Sequence, residues 1–123
     1  MLRGLFTIKS TSAEGTSAFT TKAAMNANHP VFQGHFPGTP VLPGVCSLYL
    51  IRTCTELFLG CSLRYHRVES CKFTAMIDPL RNEVIIVQRN IKKDEEGIQI
   101  KALMLYGNST VLKLQATMKE ITL

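Results

Sequence analysis

The sequence predicts an α+β fold, an antiparallel six-stranded sheet curled around one long buried helix, in the order β-β-α-β-β-β-β. Three observations predict it. One long apolar segment, Gly44 to Leu59, is bounded by Pro43 and Gly60, as a helix would be. The rest of the chain breaks into alternating or β-branched segments joined by short glycine-rich or charged turns. Between these two textures lies Asn28 to Val45, which holds four of the five prolines and three of the eight glycines and so reads as a tightly specified loop.

The elements follow in order. Leu5-Phe6-Thr7-Ile8-Lys9 and Thr16 to Met25 read as two strands, and the Glu14-Gly15 turn signal makes them a hairpin. Asn28 to Pro43 is loop, because proline fixes φ and removes an N–H while glycine adopts backbone that other residues avoid. Pro43 suits the first helical turn and Gly60 the C′ position that ends the helix. Between them only Arg52 and Glu56 are charged, so the helix is expected to be buried over most of its circumference. Leu63 to Ala75 alternates loosely and stops before Asp78-Pro79. Glu83 to Asn90 carries the β-branched run Val84-Ile85-Ile86-Val87, and Lys92 to Gly97 is a charged turn. Ile98 to Tyr106 alternates, Gly107-Asn108 turns the chain, and Thr110 to Ile121 is the last strand. Met25, Met76, Met104 and Met118 are expected in the core or along an apolar tunnel. Without repeat, low-complexity segment or linker, residues 1–123 are expected to form a single domain.

Composition narrows the function classes. A chain of 123 residues with 46% apolar and 19% charged residues is globular, and its longest apolar run falls well short of a membrane span. The N-terminus alternates like a strand and has too short an apolar patch for a signal-peptide core. Cys46, Cys54, Cys61 and Cys71 lack metal-ligand spacing, which points to reduced thiols, no metal site and a cytoplasmic setting. The net charge of +5 suits an acidic partner, but no basic run with interleaved aromatics points to nucleic acid.

The loop itself carries the sharpest signal. Gly34-His35-Phe36-Pro37-Gly38-Thr39-Pro40-Val41-Leu42-Pro43-Gly44-Val45 resembles the signature G-H-F-P-G-x-P-x-x-P-G-V of the hotdog-fold β-hydroxyacyl-(acyl carrier protein) dehydratases, and His29-Pro30-Val31-Phe32 before it is also similar. The resemblance implies one hotdog domain over essentially the whole chain. It implies a dimer, homomeric or with another hotdog subunit, whose sites form between subunits. It also implies a substrate delivered on the phosphopantetheine arm of an acidic acyl carrier protein, with no other cofactor.

Dehydration of a 3-hydroxyacyl thioester needs a base for the α-proton, an acid for the departing hydroxyl, and donors for the thioester oxygen. The resemblance puts the base at His35, whose imidazole type titrates near neutrality, and the oxygen at the helix N-terminus near Gly44 and Val45. Phe32 and Phe36 are expected to line the substrate path. The chain departs from the family at the acid. In the family a Glu or Asp stands fourteen residues after the histidine, and here that residue is Tyr49. A phenol is a weaker acid than a carboxyl, and its ring fills space a carboxylate leaves open. Glu56 lies seven residues further along the helix, ~10 Å away at 1.5 Å per residue, and is no substitute. Three functions stay open: a dehydratase using His35 with Tyr49 or water as acid, a non-catalytic or acyl-binding subunit that completes another dehydratase's site, and an acyl-thioesterase. A basic docking face for the carrier is expected among Arg64, Arg67, Lys72 and Arg81.

Overall fold

The computed structural model describes residues 2–15, 17–33 and 41–121. Six strands and one long helix follow the expected order: β1 (Phe6–Glu14), β2 (Ala18–Met25), α1 (Gly44–Leu59), β3 (Leu63–Phe73), β4 (Val84–Asp94), β5 (Gly97–Tyr106) and β6 (Ser109–Glu120). A short 3-10 turn, Pro30–Phe32, precedes the helix. All strand pairings are antiparallel, and the sheet order is β1-β2-β4-β5-β6-β3. The chain therefore leaves β2, runs through α1 across the sheet, and sets β3 down at the far edge beside β6.

Period-two burial builds the core. Ala23 and Met25 of β2, Ile85 and Val87 of β4, Ile100 and Met104 of β5, and Leu114 and Met118 of β6 face inward. They pack against Cys46, Leu50, Ile51 and Cys54 of α1. Gly60 ends the helix at φ 74°, in the left-handed conformation that glycine adopts without strain, and its N–H donates to the Glu56 carbonyl. The Glu56 carboxylate accepts from the Leu63 N–H at 2.7 Å and from Arg52 at 3.2 Å, fastening the helix end to β3. The Tyr65 hydroxyl donates to the Leu48 carbonyl at 2.6 Å.

Several expectations need correction. The helix is buried on one side only: Val45 is 69% and Leu57 66% exposed, because a single sheet covers a single face of a helix. Met76 is 70% exposed and lies outside the core. Lys92, Lys93 and Asp94 belong to β4, and the turn is confined to Glu95-Glu96, since a two-residue connection lets both strands keep pairing to Asp94 and Gly97. Likewise β1 runs on through Ser10-Thr11-Ser12 to Glu14. Pro43 is the N-cap of α1, one place before the first turn. No helix among the described residues is long and apolar enough to cross a membrane.

Candidate active site at the start of the helix

The first turn of α1 is the wall between two hollows. On one side Gly44 and Ser47 face a cavity of about 220 Å³ closed by Phe73, Met76 and Val111. On the other, Pro43, Val45, Cys46 and Tyr49 face a groove of about 610 Å³ whose opposite wall is Leu2, Arg3 and Val31. Among the described residues no side chain caps the helix N-terminus and no acid lies in its first turn. Its leading N–H groups thus keep the partial positive charge that suits a developing oxyanion.

Glycine at position 44 has a steric cause. A Cβ there would stand 2.8 Å from the Phe73 ring, inside contact distance. Phe73 is itself half exposed on the edge strand and has room to turn away. Gly44→Ala is therefore expected to push the Phe73 ring out of the small cavity. Pairing it with Phe73→Ala should recover most of the stability lost, a coupling of about 0.5–3 kcal/mol in a double-mutant cycle. Simple additivity of the two changes would show that the ring does not meet position 44.

Of the residues the sequence singled out, Val45 and Tyr49 share the large groove, while Gly44 faces the other cavity. Phe32 is buried in the core, with its neighbour Val31 lining the groove instead. His35 and Phe36 lie outside the described residues. The guanidinium carbon of Arg52 sits 5.5 Å from the centroid of the Tyr49 ring, so a cation borders the phenol. Burial pushes the Cys46 thiol up from its ordinary value, which leaves it a neutral wall rather than a nucleophile. Glu56 is held near the far end of the helix by Arg52 and the Leu63 N–H. Among the described residues no cluster of His, Cys, Asp or Glu is arranged to hold a metal.

Two residues of the site had little or no signal in the sequence. Arg3 comes to the groove from the N-terminal segment through tertiary contact alone. His29 explains how it is held there. Its Nε2–H donates to the Arg3 carbonyl at 3.0 Å, and its Nδ1 accepts from the Val31 N–H at 3.0 Å, so the ring is neutral and both nitrogens are used. The one hint was its place in His29-Pro30-Val31-Phe32, just ahead of the loop signature.

Comparison with known proteins places this geometry. Residues 10–114 match the sequence model of the ApeI-like family, described as ApeI dehydratase. The 3-hydroxyacyl-[acyl-carrier-protein] dehydratase FabZ of Ruegeria sp. (strain TM1040) is 33% identical over 61 residues, 42% of this chain and 38% of that protein. The FabZ of Syntrophomonas wolfei is 28% identical over 102 residues, 73% of this chain and 71% of that protein. The chain thus spans about two-fifths of the length of the first curated relatives it matches, 38% and 40%. Among solved structures, the dehydratase heterocomplex ApeI:P from Xenorhabdus doucetiae superposes with a TM-score of 0.74 at 15% identity, covering 92% of this chain and 96% of that one. That likeness is one of fold: the six strands and single helix described above form a hotdog fold.

Proposed function

The chain belongs to the ApeI-like dehydratase family, and we propose that it acts there as one subunit of a 3-hydroxyacyl-thioester dehydratase whose acid comes from a second subunit. In this reading the substrate is a 3-hydroxyacyl group on an acyl carrier protein, the substrate in the names of the FabZ relatives, and it arrives on the carrier's phosphopantetheine arm. His35 takes the α-proton through its neutral imidazole, the Cβ–O bond breaks, and the departing hydroxide leaves as water with a proton from the acid. The N–H groups at Gly44 and Val45 hold the charge that gathers on the thioester oxygen. One observation carries the proposal: a helix N-terminus without a side-chain cap among the described residues, directly following the loop signature and standing between an apolar cavity and an open groove.

Tyr49 at the acid position favours a two-subunit site over a self-sufficient homodimer. In a mixed dimer one site pairs His35 with the partner's carboxylate and stays competent, while the other holds Tyr49. The exposed Val45 and Leu57 and the open β3 edge with Val68 and Phe73 supply a surface for such a partner. The relative from Xenorhabdus doucetiae was solved as a heterocomplex, which supports the same arrangement.

The test is to purify the chain alone and co-expressed with a carboxylate-bearing dehydratase of the same source. Both are then offered 3-hydroxyacyl and 2-enoyl carrier-protein thioesters. A slow or inactive chain and an active mixed dimer are expected. Failure to form a mixed dimer favours a binding-only subunit, and release of free acid favours a thioesterase.

A further inference from the structure

The outer face of the sheet, turned away from α1 and from both hollows, carries a pattern with no part in the dehydratase site. The register of β3 and β6 sets Lys72 directly opposite Lys113, and Arg64 directly opposite Lys119. Like charges directly opposite across an antiparallel pair destabilise it. None of Lys72, Lys101 and Lys113 is in an ion pair among the described residues; the ion pairs present there join Arg52 to Glu56 and Arg67 to Glu69 and Glu96. The three lysines line a trough of about 440 Å³ that crosses four strands, from Ser70 and Lys72 on β3 to Asn90 on β4. The other polar groups along it are hydroxyl and amide side chains, and no carboxylate lines it.

We propose that this trough docks an acidic, extended segment of a partner protein. Two rows of side chains bound it, Lys72 and Lys113 in one and Ser70, Gln115 and Lys101 in the next. Ammonium and amide N–H groups pair with carboxylates through charge-assisted hydrogen bonds. Crossing four strands at ~4.8 Å between neighbours, the trough is ~14 Å long, a length that about four residues of extended chain span at ~3.4 Å each. No aromatic ring lines the trough to stack a nucleobase. Leu103 is the one exposed large apolar side chain along it, too little to anchor in a bilayer. An acidic partner also removes the Lys72–Lys113 repulsion that the free sheet bears.

The test measures fluorescence anisotropy of a labelled ten-residue peptide of alternating Glu and Thr with the full chain at low salt. The Lys72→Glu, Lys113→Glu double variant is expected to bind about tenfold more weakly or worse. A Lys9→Glu, Lys93→Glu control, with the same charge change on exposed positions away from the trough, should stay within twofold of the native chain. Lys113→Glu alone, which turns the repulsive pair into an attractive one, should raise Tm by about 2 °C while weakening binding. The proposal is overturned if the native chain does not bind the peptide, or if the control loses as much as the double variant. It is equally overturned if phosphatidylserine vesicles or an oligothymidylate bind more tightly through the same lysines, or if Lys113→Glu lowers Tm.

Discussion

In the active mixed dimer, His35→Ala is expected to lower turnover by about 10²–10⁴-fold, the span that a positioned general base contributes. The expectation rests on the division of labour between the subunits. Only one of the two sites in such a dimer pairs a histidine with a carboxylate, and that histidine is His35. Tyr49 belongs to the other site, so Tyr49→Phe should leave the mixed dimer's turnover nearly unchanged. In the chain alone the signs differ. There Tyr49→Glu restores the missing carboxylic acid and should raise turnover above the native protein, while His35→Ala removes whatever turnover exists. Single-turnover measurements with a 3-hydroxyacyl carrier-protein thioester separate these outcomes. A fully active native chain that loses its activity on Tyr49→Phe would instead make the phenol the acid and remove the need for a second subunit. A mixed dimer indifferent to His35→Ala would assign the base elsewhere.

The parts of this fold legible in the sequence are those set by local rules. Gly60 could be read as the helix stop because a left-handed residue with no Cβ is a local requirement, and it is met at φ 74°. The strand order was legible from alternation and turns. Strand ends were not: Ser10-Thr11-Ser12 and Lys92-Lys93 look like loop by composition, yet pairing with Thr21 and Gln99 extends them as strand. Polar residues on an exposed sheet end have no core to signal their state, so only the partner strand decides.

The site was half legible for the same reason. The loop signature and the start of the helix are contiguous in sequence, so Gly44, Val45 and Tyr49 could be named in advance, and Val45 and Tyr49 do share a groove. Arg3 and Phe73 reach the helix from 41 residues before Gly44 and 29 after it, and no local pattern predicts such contacts. Register is equally invisible. Arg64 and Lys72 were marked as basic from the sequence, but their cross-strand partners Lys119 and Lys113 appear only once β6 lies against β3. Arg81, grouped with them at first, sits in the β3–β4 connection and lines no part of the trough.

Arg89→Met is expected to stabilise the protein by about 1–2 kcal/mol, read as a shift in the midpoint of urea unfolding at unchanged slope. Arg89 follows the β-branched run of β4 on its inward face and is only 2% exposed. No carboxylate pairs with it among the described residues. One nitrogen, Nη2, donates to the Thr21 hydroxyl, while Nε and Nη1 are buried without a hydrogen-bond partner. Burial pulls its pKa down, and the neighbouring Cys54 thiol opposes that only in part. Each buried donor left unmatched costs about 1–3 kcal/mol. Against this stands the Phe19 ring, whose centroid lies 4.1 Å from the guanidinium carbon and which itself stacks on Phe58 at 3.9 Å. A desolvated cation–π contact returns about 2 kcal/mol or more, against about 1–3 kcal/mol lost at each of the two unmatched donors. Methionine keeps a long unbranched side chain in the space, and its sulfur still makes a favourable contact with the aromatic ring. Thr21 keeps its hydroxyl partner Thr11 at 3.3 Å. Arg89→Ala should behave oppositely: it removes the same charge but leaves a cavity under Phe19, and is expected to cost about 2 kcal/mol or more. If Arg89→Met destabilised the chain as much as Arg89→Ala, the cation–π contact would outweigh the unmatched donors, and the buried guanidinium would be a net source of stability.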